Sequence, residues 1–367
     1  MESERVKQLA LALGFDLVGV APARPTQETE YLSEWIARGY AGEMTYLARR
    51  LAERIDPRRV LAGAESIIAV GLVYDPGERA PLSGAAADIA RYAGGEDYHD
   101  VLRERLRALR AALEAAGERP LRSRIYVDTG PVQERVHAAY AGLGWIGKNT
   151  CLIHPRLGSY VFLGAMLTDW PLTCDDPLPD HCGSCRACLD ACPTDAFVAP
   201  YVLDATRCIA YTTIEARGAI PEELRESHGE RVFGCDVCQE VCPWNRRRGR
   251  RVPPDRLGLR ARLRPRKEWI APTLAWLLGL DEEAWERAVR KTALRRARRQ
   301  GMLRNALVAA GNSGAVELIP LVEKHVAASD SLLAEHARWA LARLRSVTEV
   351  RPAGAARSPA RVVPENP

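Results

Sequence analysis

The sequence contains no apolar run long enough to cross a bilayer. Its opening stretch, MESERVKQLALALGF, sets charges around a short amphipathic segment and offers neither a continuous apolar core nor a small-residue cleavage site. Neither a membrane span nor a secretory signal is therefore expected. An RNP motif and zinc-finger spacing are also missing, so the chain presents no ready-made nucleic-acid module. Nor is a disulfide framework needed. Eight of the ten cysteines fall into one patterned region, and the other two, Cys151 and Cys174, stand apart as idle or buried thiols. That usage fits a reducing, cytoplasmic compartment. With 367 residues, 47% hydrophobic and 27% charged, the chain has the make-up of an ordinary globular protein of two or three domains.

What the sequence does have is the run Cys182-x2-Cys185-x2-Cys188-x3-Cys192-Pro193, echoed by Cys235-x2-Cys238-x3-Cys242-Pro243. Three thiolates in successive x2 steps can hold three irons of a [4Fe-4S] cube from one loop. The fourth, ahead of a proline that turns the chain, reaches a neighbouring cube. The second run lacks its leading cysteine, and Cys208 is the substitute at hand. One cluster is then assigned to Cys182, Cys185, Cys188 and Cys242, and the other to Cys192, Cys208, Cys235 and Cys238. A pair of four-cysteine zinc sites is the competing reading, but such sites seldom string three cysteines in x2 steps before Cys-Pro. Two one-electron clusters imply electron transfer and an external low-potential donor.

Charge is unevenly spread. Between Arg246 and Arg304 there are nineteen Lys or Arg against six Asp or Glu, which leaves the rest of the chain at about −8 out of a total of +5. A solvated basic face is the plain explanation. An excess this large beside redox centres favours a polyanion such as nucleic acid. Arg246 to Arg251, and the face carrying Arg295, Arg296, Arg298, Arg299 and Arg304, are the candidate phosphate contacts, with Trp244 or Trp269 to stack on unpaired bases.

Alternating helix and strand patterns run through the first part of the chain. Val6, Leu9 and Leu13 share a helical face, Asp16 to Ala21 and Ser66 to Tyr74 read as strands, Val101 to Ala116 as an amphipathic helix, and Ser123 to Val127 as a further strand. Asp128-Thr129-Gly130-Pro131 then turns into a helix carrying Val136 to Leu143. Residues 1–170 are read as one α/β domain and 171–245 as a two-cluster ferredoxin-like domain. Residues 246–350 form a basic helical region in which Arg304-Asn305-Ala306-Leu307 returns as Arg338-Trp339-Ala340-Leu341, a HEAT-like repeat of paired helices expected to pack on what precedes it. Residues 351–367, rich in Pro, Ala and Arg, are expected to be disordered. The fold class is α+β/α multidomain.

The blocks Tyr126-Val127-Asp128-Thr129-Gly130-Pro131, Gly144-Trp145-Ile146-Gly147-Lys148-Asn149, Gly158-Ser159-Tyr160, Tyr211-Thr212-Thr213-Ile214-Glu215 and Arg304-Asn305-Ala306, together with the cysteine runs, resemble the epoxyqueuosine reductase family over nearly the whole chain. The resemblance implies that the α/β domain binds cobalamin and that the substrate is epoxyqueuosine in the anticodon arm of tRNA. Asp128 is then the proton donor, with a pKa raised by desolvation under corrin and substrate. It carries cobalamin contacts over to Arg54, Asp128, Leu152, His154 and Leu163. No Asp-x-His-x-x-Gly motif is present, so cobalamin follows from kinship and not from spacing. Read without the resemblance, Asp128 is a turn or capping residue, Leu152 and Leu163 serve equally as strand core, and His154 before Pro155 is a loop residue. Two other functions compete: a reductase of a small organic substrate similar to the reductive dehalogenases, and a non-enzymatic electron-transfer adaptor. A monomer is expected, because no amphipathic seam is left unclaimed.

Overall fold

The computed structural model describes residues 2–74, 84–246, 252–327 and 329–350. The expectations placed on the basic run at 247–251 and on the tail at 351–367 lie outside the described residues.

A four-stranded sheet organises the first half of the chain, in the order Leu17–Pro22, Ser66–Val73, Val161–Thr168, Ser123–Tyr126. Every neighbouring pair in it is antiparallel. The alternation of helix and strand in the sequence suggests crossover units, but the first two strands pair antiparallel and the third is not their neighbour in the sheet. The strand Val161–Thr168, from the far end of the region, inserts between the second and third. Ser66–Val73 is buried along its whole length, which explains its unbroken apolar, β-branched character.

Helix Tyr98–Ala116 packs on this sheet through Leu102, Leu106, Leu109 and Leu113, a three-and-four spacing that makes one apolar stripe. Asp97 caps it, accepting the His99 N–H at 3.0 Å. The first turn of the helix, with Tyr98 and His99, is thereby held at the sheet end where the Ser123–Tyr126 strand runs out into Asp128.

The regions read along the chain share their cores. Leu259 and Leu263 are buried in the same apolar cluster as the sheet and its helix. Asp88–Ile89 pairs in parallel with Arg231–Phe233 beyond the first cysteine run. The C-terminal helices, chiefly Arg298–Ser313, Ile319–Val326 and Ser331–Val350, continue one apolar core with Ala87, Ile89, Val232 and Phe233. The 34-residue echo holds for its apolar positions, since Ala306 and Ala340 are both fully buried. Its polar positions differ: Arg338 is exposed, whereas Arg304 is completely buried. The Arg304 guanidinium donates to the carbonyls of Thr212, Ala216 and Gly218. Asn305 donates to Thr213 O and Val232 O, both at 2.8 Å. These two residues fasten the tail to the Ile209–Ile214 helix. Arg304 is therefore no phosphate contact, which corrects its place on the basic face. Trp269 is likewise buried, with its indole N–H donating to Ala288 O, and has no face to offer a base.

Candidate active site and cysteine quartets

The two cysteine runs fold into two groups. All ten cysteines are free of disulfides. Burial, followed by the nearness of Cys242, Cys182 and Cys185, pushes the Cys188 thiol up to about 11, so these four are mutual neighbours. Cys192, Cys208, Cys235 and Cys238 line one small cavity with Pro193, Ala196 and Ile209. Among the described residues no three His, Cys, Asp or Glu side chains converge on a single-ion point.

The Gly144–Asn149 block is a cradle for both quartets. Trp145 packs with Cys182 and Cys242, at 4.9 Å between centroids from Trp244, and its buried indole N–H is turned to the Cys182 sulfur. An N–H aimed at a cysteine sulfur suits a cluster, whose sulfurs accept such bonds. Lys148 Nζ donates to Gly183 O and Cys185 O at 2.5 and 2.9 Å, and Asn149 Nδ2 to Cys238 O at 3.2 Å. Trp244 is thus part of the wall beside the first quartet and not a free stacking platform. Gly158 and Ser159 join the sheet domain to the same region. Ser159 N–H donates to Asn245 Oδ1 at 2.8 Å and its hydroxyl to Gln239 Oε1 at 2.8 Å. Gly158, at φ +74°, leaves room that a Cβ would fill 2.0 Å from that same Asn245 oxygen. Cys151, left idle by spacing, sits against Cys238.

A cleft of about 1920 Å³ opens beside this assembly, lined by Arg54, Asp128, Phe162 and Leu163 among others. It exceeds the roughly 300–1,000 Å³ of an ordinary small-molecule site. Asp128 projects into it from a left-handed backbone, φ +57°, a strained conformation for a non-glycine residue. The turn is close-packed, since a Cβ on Gly130 would lie 1.9 Å from the Tyr126 ring. Asp128 Oδ2 is 3.3 Å from His99 Nε2, and His99 Nδ1 is 2.6 Å from Asp97 Oδ1. Tyr98 also hydrogen-bonds the Asp128 carboxylate. The Asp128 side chain is 65% exposed because the cleft is open, although protein surrounds it on most sides.

Burial alone would raise the Asp128 carboxyl. The hydrogen bond and charge of His99, then Tyr98 and the charge of Arg135, more than offset it and hold the carboxyl below its usual range. The rise expected for Asp128 belongs to the cleft filled by corrin and substrate. The proton resides on His99, where burial pulls the imidazole down but the bonds to Asp128 and Asp97 lift it to about 9. Glu134, on the same cleft, is pushed up to about 8 by burial and by the Asp128 charge. Two acids and an imidazole with separated titrations in one cleft are a proton-handling site.

Of the residues carried over for a cofactor, Arg54, Asp128 and Leu163 line the cleft and Leu152 and His154 do not. Leu152 is core beneath Ala21, Ala69 and Ala138, on the strand that backs the cleft-lining Trp145–Ile146. His154 Nδ1 accepts the N–H groups of Arg156 and Leu157, both at 3.1 Å, and so organises a turn. Tyr98, His99 and Glu134 are site residues that sequence reasoning missed.

Two cysteine quartets seated behind a cleft with a proton-handling site define a double-cluster iron–sulfur oxidoreductase. Residues 181–245 match the model of the 4Fe-4S double cluster binding domain, and residues 54–129 match that of Epoxyqueuosine reductase QueG. The epoxyqueuosine reductase of Pseudomonas aeruginosa is 41% identical over 93% of this chain and 94% of its own, and that of Escherichia coli 39% over 93% and 89%. An epoxyqueuosine reductase solved with an epoxyqueuosine-modified tRNA-Tyr stem loop superposes with a TM-score of 0.83 at 30% identity, covering 95% of this chain and 94% of that one. The Bacillus subtilis enzyme, with its catalytic aspartate loop swung out of the active site, gives 0.83 at 29% identity, covering 95% and 94%. The chain belongs to the epoxyqueuosine reductase family.

Proposed function

We propose that this protein reduces epoxyqueuosine to queuosine at the wobble position of tRNA, with Asp128 delivering the proton to the departing oxygen. The observation that carries the reading is the Asp97–His99–Asp128 array opening into a cleft whose wall, at Trp145, is shared with a cysteine quartet. Removing an epoxide oxygen as water consumes two electrons and two protons. Cys182, Cys185, Cys188 and Cys242 would ligate one [4Fe-4S] cluster, and Cys192, Cys208, Cys235 and Cys238 the other, relaying those electrons singly from an external low-potential donor.

The cleft suits cobalamin. Val161, Phe162 and Leu163 give it an apolar wall, and Arg54 Nε and Glu134 Oε1 are buried there with no hydrogen-bond partner among the described residues. A donor and an acceptor left open beside an apolar wall match a macrocycle fringed with amides. When bound, cobalamin would supply the low-valent cobalt that reduces the epoxide. Arg54 and Leu163 would hold the group, with Glu134 as a further contact. Asp128, re-protonated through His99, would protonate the oxygen, and the walls would keep bulk water from the reacting carbons.

This reading keeps residues 1–170 as the cobalamin-binding reductase domain, 171–245 as the cluster domain, and 246–350 as a HEAT-like tRNA-binding region. The exposed Arg295, Arg296 and Arg298 support the last of these. Ten unpaired cysteines support a cytoplasmic setting. Among the described residues no helix is long and apolar enough to cross a membrane. We take the chain as a monomer. The test is anaerobic incubation of the protein, reconstituted with clusters and cobalamin, with a low-potential reductant and epoxyqueuosine-bearing tRNA, followed by nucleoside mass spectrometry. Loss of one oxygen atom is expected. An unchanged nucleoside with both clusters reducible would overturn the reading.

A further inference from the structure

Three distant segments meet on the cleft near Asp128. Tyr46 comes from the short helix Tyr46–Arg49, Glu215 follows the Ile209–Ile214 helix, and Arg296 belongs to the basic tail; all three line the cleft. Arg296 Nε and Nη2 donate to the two Glu215 carboxylate oxygens at 2.9 and 2.6 Å. The same guanidinium lies over the Tyr46 ring, 5.6 Å from its centroid. Asp128 is near enough for its charge to act on both Tyr46 and Arg296. The ring is 38% exposed, one of few large apolar side chains left open to solvent.

The fork leaves chemistry unspent. A carboxylate offers about four lone-pair positions, and Arg296 occupies two. Arg296 Nη1 keeps its hydrogens free among the described residues. Glu215 and Arg296 thus present an acceptor edge beside a donor edge in one plane, with an aromatic wall alongside. Guanine-type bases carry the complement on their Watson–Crick edge: N1–H and N2–H2 donors next to the O6 acceptor. Queuosine is a 7-deazaguanosine, so it has this edge and lacks only N7, which the fork does not need.

We propose that Glu215, with Arg296 and Tyr46, forms the base-reading station of the cleft, its one outward-facing oxygen accepting the N2–H2 donor of the guanine-type wobble base while the 7-substituent points toward Asp128. This rests on the tRNA reading above and deepens it. It also gives a task to the Tyr211–Glu215 block, whose Thr212 and Thr213 carbonyls only anchor the tail. A carboxylate oxygen that accepts the N2–H2 bond discriminates against a base lacking the amine, because its absence leaves that desolvated oxygen position unpaired.

The test uses RNA anticodon hairpins with guanosine or inosine at the wobble position, which differ only by the exocyclic amine, and the full-length cluster-loaded protein. Wild type is expected to bind the guanosine hairpin about tenfold more tightly. Glu215→Gln, which preserves the shape of the fork, is expected to bind both equally. Arg296→Met should weaken both hairpins alike and keep the preference, since O6 is common to them. Cluster absorption reports that each variant is folded. A preference absent in the wild type, or undiminished in Glu215→Gln, would overturn the proposal and reduce the pair to a clamp between tail and core. Failure of the wild type to bind either hairpin would instead bring down the tRNA reading, and the proposal with it.

Discussion

Replacing His99 by Gln tests the assignment of the proton store directly. In the wild type the imidazole is only 19% exposed and bonds to Asp97 at 2.6 Å and to Asp128 at 3.3 Å. Burial disfavours the imidazolium, yet the two carboxylates hold its pKa at about 9. Against an ordinary histidine near 6.5, that corresponds to about 3 kcal/mol in favour of the charged form. The figure is a ceiling, because the Asp128 end of the array is open to the cleft and screened. The folded pKa lies above the unfolded one, so the stabilisation is fully present below pH ~6.5 and disappears as pH rises through about 9. The thermal stability of wild type should therefore fall relative to His99→Gln across that window. Turnover should lose its alkaline limb for the same reason, and the variant should be slower by about 10²–10⁴, the usual yield of a positioned general acid. Single-turnover nucleoside analysis across the pH range, with saturating reductant, reads both effects. A His99→Gln enzyme that keeps an alkaline limb at the wild-type midpoint would refute the reasoning, since the titrating group would then lie elsewhere.

Asp128→Asn should retain both clusters and cobalamin, seen by absorption, and lose turnover; full activity would remove Asp128 from the mechanism. Arg304→Met should destabilise the fold by about 3–5 kcal/mol in denaturant titration, because three backbone carbonyls lose a buried charged donor at once. A change under 1 kcal/mol would mean that water or a rearranged neighbour replaces the guanidinium. Cys188→Ala should halve the reconstituted iron, whereas Cys151→Ala should leave it unchanged although Cys151 touches Cys238. Equal iron loss in the two variants would reassign the quartets.

How much of this was legible beforehand depended on the distance over which each feature is written. The cysteine quartets are encoded within a few residues and by a ligand geometry that tolerates little variation, so their spacing suffices. The Asp128 turn is local too, and its Gly130 has a steric cause in the Tyr126 ring. The proton store was not legible. His99 lies 29 residues from Asp128 and acquires its role from the end-on docking of a helix, for which the only signal was Asp97 as a cap before an amphipathic stripe. The sheet defeated a reading by alternation because Val161–Thr168 enters it from outside the pattern. The side on which Leu152 would lie was not legible either: an apolar strand residue looks the same on either face, and this one faces the core.

Charge was the least faithful guide, and the reason is instructive about the tail. An excess of thirteen positive charges between Arg246 and Arg304 suggests a surface for a polyanion, but much of that charge faces inward. Arg260 bonds Asp16 at 2.9 Å, across 244 residues, and Arg262 bonds Glu96 and Glu104 at 2.7 and 3.0 Å. Arg304 is spent on carbonyls and Arg296 on Glu215. The acidic remainder of the chain is therefore the first partner of the basic tail, and the opposite net charges of the two parts are complementary within one molecule. Among the described residues, the exposed Arg295, Arg296 and Arg298 make a short arc whose middle residue, though forked to Glu215, lines the cleft beside Tyr46. Such an arc suits an anticodon loop, with a few phosphates gripped at the rim and the base, not the backbone, carrying recognition inward.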